Sequence, residues 1–253
     1  MRPSRWARAA AAALLAGCAA PASREPVNLH FLREAEKHFL LEEYGRAAGY
    51  YEAFLNDNPE HPDRAEIRAR AGRCHLGAGR PDLALAAFEK ALADHPSGPL
   101  RWEILFRRAV AWRLAGDAGR AVEGFRAVAA APAAERGRSV TDDELHYEYA
   151  LALFRAGDWR GGHAALARVS PLGPYGERAR SRQGLTAFAV QVGAYADEAR
   201  ARAEASRVQG SVRAVPGDRP LFVVLTGSFP RYEDAQREAD RLRPLYPDAF
   251  VVP

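Results

Sequence analysis

Patterns that carry chemistry are what this chain lacks. It has two cysteines, Cys18 and Cys74, too few for a zinc site of paired cysteines. It contains no His-Glu-x-x-His helix, no glycine-rich phosphate loop and no Gly-x-Ser-x-Gly elbow. The carboxylate pairs Glu42-Glu43 and Asp142-Asp143 are sequence neighbours, which on a helix do not face one another. No residue set supports catalysis, and neither a cofactor nor a metal is expected. The net charge of +4 comes from scattered arginines rather than a basic run, a weak footprint for nucleic acid. Long apolar runs are also missing: the stretch at residues 9–16 is too short to remain as a membrane span. Cys74, beside His75 in a helical pattern, reads as a buried small hydrophobe. His38 and His75 stand 37 apart at one repeat position and read as core residues, not ligands.

What is present is repetition. Phe188-Ala-Val-Gln-Val-Gly-Ala-Tyr195 returns as Phe222-Val-Val-Leu-Thr-Gly-Ser-Phe229, a displacement of 34 that also carries Ala201, Ala205 and Val208 onto Ala235, Ala239 and Leu242. Alternation places Phe188, Val190 and Val192 on one strand face and Ala189, Gln191 and Gly193 on the other; Phe222, Val224 and Thr226 match the first set. Residues 197–208 and 232–242 carry small or apolar residues at helical spacing, predicting amphipathic helices on the Phe/Val face. Extended runs follow at 211–215 and 248–252. The order is β-α-β-β-α-β, a split βαβ (ferredoxin/RNP-like) sheet with helices on one face and the other face free.

On Val190-Gln191-Val192-Gly193-Ala194-Tyr195, its echo at residues 224–229 and the alanine spacing of both helices, residues 187–253 resemble the SPOR (sporulation-related repeat) family of bacterial cell-wall domains. The resemblance implies binding of peptidoglycan glycan strands stripped of their stem peptides, through the helix-free sheet face. Such a strand offers hydroxyls, acetamido groups and lactyl carboxylates, which call for amide and guanidinium donors beside a flat apolar surface. Gln191 supplies the amide, and Arg213 and Arg219 are the candidate guanidinium donors. Where the family often carries polar or basic residues, this chain has Val223 and Leu225 on the free face. That stripe has two readings: a surface on which sugar rings stack, or a face packed against the rest of the protein. Gln191 has a plain alternative as a solvated strand residue. RNA readers of this topology place aromatics outward on the central strands. Here Phe188 and Phe222 share parity with the core valines, so no nucleic-acid partner is expected.

The N-terminus is basic through Arg8, then apolar, then reads Leu15-Ala16-Gly17-Cys18. This resembles the lipobox of bacterial lipoproteins, which implies an export signal at 1–17, acylation of Cys18 and a membrane-anchored mature chain. Ala19 after the cysteine points to the outer membrane by the enterobacterial sorting rule. Lipidation leaves only Cys74, so no internal disulfide is expected.

A second periodicity lies between. Ala47, Ala84 and Ala121 are spaced by 37, as are Tyr51, Phe88 and Phe125, with Pro59, Pro96 and Pro132 closing the units. Residues 79–96 resemble the second helix of a tetratricopeptide repeat (TPR), in which small residues allow close helix contact and the aromatic fills the space between hairpins. A degenerate fourth copy at 143–169 has Gly162 and Leu166 in the small and aromatic places. The expected fold is an all-α TPR solenoid at 27–171, reached by a tether at 18–26 and followed by a connecting helix at 172–186 and the small βαββαβ domain. In TPR arrays the concave surface holds peptides or partner helices. By repeat register its lining here is Phe39, Arg73, Phe106, Arg113, Tyr147 and Phe154, each of which has packing between neighbouring helices as its other reading. Together these resemblances imply a lipid-anchored envelope adaptor, with peptidoglycan on one side and an envelope protein on the other, in division or wall remodelling. The alternative is an assembly or export scaffold whose sheet no longer binds glycan.

Overall fold

A computed structural model of the chain describes residues 29–215 and 220–252. Cys18 and Arg219 lie outside them.

Four antiparallel helical hairpins come first: α1 (His30–Leu40) with α2 (Tyr44–Asp57), α3 (Arg64–Gly77) with α4 (Pro81–Ala93), α5 (Gly98–Ala115) with α6 (Ala118–Ala130), and α8 (Asp142–Arg155) with α9 (Trp159–Leu166). The 37-residue spacing is realised directly. Ala47, Ala84 and Ala121 are fully buried where second helices meet first helices, and Tyr51, Phe88 and Phe125 are buried beside them. Burying one such ring contributes about 1.5–3 kcal/mol. A short α7 (Ala133–Arg136) interrupts the last connection. It is pinned by the buried Arg136, whose guanidinium donates to the Ala131 and Val140 carbonyls and to Asp142 at 2.5 Å. Asp142, Asp143 and Glu144 form the acidic first turn of α8, with the Thr141 hydroxyl accepting the Glu144 N–H at 3.2 Å.

The segment expected as a connecting helix at 172–186 is helical only over α10 (Gly176–Arg180). The Ser-Pro-Leu-Gly-Pro run before it favours turns, and Ala179 is the one α10 side chain drawn into the core.

The C-terminal unit is β1 (Phe188–Tyr195), α11 (Glu198–Arg207), β2 (Ser211–Val215), β3 (Leu221–Phe229), α12 (Tyr232–Leu242) and β4 (Phe250–Val252), forming an antiparallel sheet in the order β2-β3-β1-β4. Val190, Val192 and Val224 pack with Ala201, Ala205, Ala239 and Leu242 beneath the two helices. Two bulges modify the simple alternation. One inserts an extra residue in β1 after Gln191, so that Gly193 stands opposite Val224 and Tyr195 opposite Phe222, on the helix side. Gly193 is thereby moved from the face that alternation assigned it, and Ala194 takes the free face opposite Val223. The other is on β3 at Gly227, whose φ of +74° and overlying Phe229 ring leave no room for a side chain.

The two units touch through the last hairpin. Phe154 stacks on Trp159 (4.9 Å), Trp159 meets Phe188 (5.0 Å), and Phe188 meets the edge of Tyr232 (5.5 Å). Each such pair adds about 1 kcal/mol beyond area burial. The Trp159 indole N–H donates to the Pro230 carbonyl at 2.8 Å, and His163 Nε2 donates to the Leu185 carbonyl at 2.8 Å. Arg155 lies 3.7 Å over the Tyr232 ring while donating to the Arg113 carbonyl. One apolar cluster runs from Phe106 and Phe125 through Leu166 to Phe188 and Ala235. Gly157, at φ +85°, lets the α8–α9 turn approach Pro230 and Arg231, which a Cβ would meet at 3.3–3.4 Å.

Candidate functional site: an open sheet face and a concave groove

The free sheet face follows from register. Residues directly opposite one another across antiparallel strands share a face, so Ser211, Leu225, Gln191 and Phe250 form one row, and Arg213, Val223 and Ala194 the next. Gln191 is half-buried at the centre, flanked by Leu225 and by the exposed Phe250. Arg213 is exposed on edge strand β2 and has no ion-pair partner among the described residues. Gln191, Val223 and Leu225 therefore share one face, and the pairing of Arg213 with Val223 adds Arg213 to it.

Val223 and Leu225 are 9% and 6% exposed. They do not belong to the cluster that joins the two units, which uses Phe188, Phe229, Tyr232, Ala235 and Val251 instead. The solenoid thus docks on the helix-bearing side and at the strand ends. The valine and leucine sit mid-sheet, with strands on both sides, and are themselves buried, so the accessible part of these rows is carried by Ser211, Arg213, Ala194 and Phe250 around them. Sequence reasoning missed Phe250, because it looked for outward aromatics on the central strands only. The pairing of Gln191 with a residue on the edge strand was needed to find it.

On the solenoid, Phe39 and Arg73 line a cavity of about 470 Å3 together with Glu36, Tyr51, Glu66, Arg70, Leu100 and Glu103. The Arg73 guanidinium lies 5.5 Å over the Phe39 ring and 3.5 Å from Glu103. Arg70 pairs with Glu66 at 2.7 Å and with Glu36, which also accepts the Tyr51 hydroxyl at 2.9 Å. Burial, with Glu36 second, pushes the Tyr51 phenol well above its ordinary range, so it stays a donor. Farther along, Arg107 pairs with Glu144 (2.7 Å) and Arg113 with Glu148 (2.6 Å). The first helices of successive hairpins are therefore laced by ion pairs. Burial and then Glu144 and Glu148 raise the pKa of Tyr175, which lies against Tyr147 at 5.1 Å.

Three expected groove residues are corrected. Phe106, Tyr147 and Phe154 are 0%, 5% and 3% exposed. Phe106 packs on Phe125, Tyr147 is covered by Tyr175 and Arg182, and Phe154 is held between Trp159 and His163. Repeat register identifies their helix but not which way each ring turns, and a large ring beside a neighbouring hairpin gains most by filling the gap. Arg113 remains on the inner surface, though largely enclosed by its pair. Glu36, Arg70 and Glu103 were not singled out from sequence. Repeat register did not point to them, since Glu36 and Arg70 are 34 apart where the array repeats at 37.

Cys74 is buried in the first two hairpins, and burial pushes its thiol up to about 11, far from a reactive thiolate. Among the described residues no group of His, Cys, Asp and Glu is placed to hold a metal ion, and no helix is long and apolar enough to cross a membrane.

A helical solenoid laced by ion pairs is thus joined to an antiparallel sheet that carries its helices on one side only. The two parts carry family matches: the tetratricopeptide repeat model covers residues 32–99 and 70–135, and the SPOR domain model covers 184–253. The chain thus contains TPR repeats followed by a C-terminal SPOR domain. Both are non-catalytic binding modules, SPOR domains for peptidoglycan and TPR repeats for proteins. No curated protein is matched by this chain.

Proposed function

We propose that this protein is a non-enzymatic adaptor of the cell envelope, anchored by acylated Cys18 on the periplasmic side of the outer membrane, that binds stem-stripped glycan strands through its SPOR sheet and an envelope protein through its TPR groove. The observation that carries the reading is the row Ser211, Leu225, Gln191 and Phe250 on the face opposite both SPOR helices, away from the side on which the solenoid docks. An amide beside an exposed aromatic matches a sugar's combination of hydroxyl edges and C–H faces. Arg213, with Arg219 as the second guanidinium donor, adds charge for the lactyl carboxylates exposed when stem peptides are removed. Enrichment at sites of amidase action in division or remodelling follows from that preference. The three attachments act on one chain, so none has to be tight by itself.

The test uses the full chain in co-sedimentation with peptidoglycan sacculi, before and after amidase treatment. Binding that rises after treatment and drops in Gln191→Ala and Phe250→Ala is expected. Equal or absent binding to both sacculi would replace this reading with a protein-assembly or export scaffold whose SPOR domain does not hold glycan. Mass analysis of the mature N-terminus checks acylation at Cys18.

A further inference from the structure

A TPR hairpin cannot bury both of its faces alone: each covers its neighbour, and the last one in an array needs a cover of a different kind. Here the last hairpin presents Phe154, Trp159, Ala165 and Leu166, which α10 covers only through Ala179. The rest of the cover comes from the SPOR domain. Phe188 at the start of β1, Phe229 at the end of β3, and Tyr232 and Ala235 on α12 complete the cluster. Polar contacts surround it: Trp159 to the Pro230 carbonyl, His163 to the Leu185 carbonyl, and Arg155 over Tyr232. The SPOR residues used are not surplus, since Phe229 also packs in the SPOR core beneath α11 and α12.

We propose that the SPOR domain is the C-terminal cap of the solenoid, so that the two units fold as one cooperative body and the open sheet face is held at a set orientation to the TPR groove. This rests on the joint alone and stands whether or not the sheet binds glycan. A domain on a free tether samples many orientations when it meets a strand. A capped one meets it in a single pose, so a strand lying on the sheet sets the direction in which the groove presents its partner.

Two measurements on the full chain test it. In calorimetry the native protein is expected to unfold in one transition, whereas Trp159→Ala with Tyr232→Ala separates it into two, and Gln191→Ala on the free face leaves it single. Two transitions in the native protein, or no change in the double variant, would overturn the proposal. Should the double variant fail to fold, spin labels at Ala127→Cys on α6 and Ala203→Cys on α11, in a Cys18→Ser background, decide the question without disturbing the joint. One narrow distance distribution is expected; a broad one rules out a set orientation.

Discussion

In the first half of the SPOR domain Asp197 stands before α11, and its carboxylate accepts the Arg200 N–H at 2.6 Å. In the second half the equivalent position, 34 residues on, is Arg231, and α12 starts without a side-chain cap. The two helices otherwise pack alike, with Ala201 and Ala205 buried in one and Ala235 and Ala239 in the other. The difference lies in their surroundings. The corner before α11 belongs to no contact with the solenoid cluster, whereas the corner before α12 is held from outside by Trp159 on the Pro230 carbonyl and by Arg155 on Tyr232. A helix start can be set by a local hydrogen bond or by tertiary docking, and this repeat contains one of each. The strands diverge likewise: Phe188 is buried in the joint, while its counterpart Phe222 is half-buried at the far end of the sheet.

Substitutions at matched positions test this contrast in urea unfolding of the full chain. The largest effect is expected at the phenylalanines. Phe188→Ala removes a ring packed on both Trp159 and Tyr232 and costs about 3 kcal/mol or more. Phe222→Ala costs about 1 kcal/mol, in keeping with its partial burial. Equal losses would mean that the joint adds nothing to the first copy.

The glycines come next. Gly227→Ala forces a side chain into φ +74° against the Phe229 ring and is expected to cost about 2 kcal/mol. Gly193→Ala, where φ is not positive and the neighbour is the movable Tyr195 ring, costs less than about 1 kcal/mol. A reversal of that order would place the strained bulge in the wrong copy. Smallest is the cap: Asp197→Ala lowers stability by about 1 kcal/mol, while Arg231→Ala stays within about 0.5 kcal/mol. A loss at Arg231 as large as at Asp197 would show that its 3.7 Å pair with Glu233 does the work of a cap.

Much of the fold was legible because it rests on periodicity. The spacing of 37 in Ala47, Ala84 and Ala121 reports a steric requirement repeated at every hairpin, and the displacement of 34 between Gln191 and Leu225 reports two copies of one strand in one sheet. Strand parity placed Gln191, Val223 and Leu225 on a common face, and strand pairing added Arg213. Parity failed at Gly193, because a bulge is a property of two paired strands and alternation sees only one. It was silent on Phe250, whose place in the Gln191 row depends on where β4 comes back to pair. In the groove the repeat register found Phe39 and Arg73 but misassigned Phe106, Tyr147 and Phe154, since an aromatic at a helix–helix seam satisfies the same pattern whether it turns inward or outward.

The sequence by itself determined the order of elements, the two periodic units and the polarity of the sheet, because these follow from local sterics and from which residues avoid water. Only the tertiary structure decided that the SPOR helix side, rather than the Val223 and Leu225 face, meets the solenoid. That choice depends on how Phe154, Trp159, Phe188 and Tyr232, drawn from distant parts of the chain, fill one space together, and close packing among such residues has no signature in any one segment.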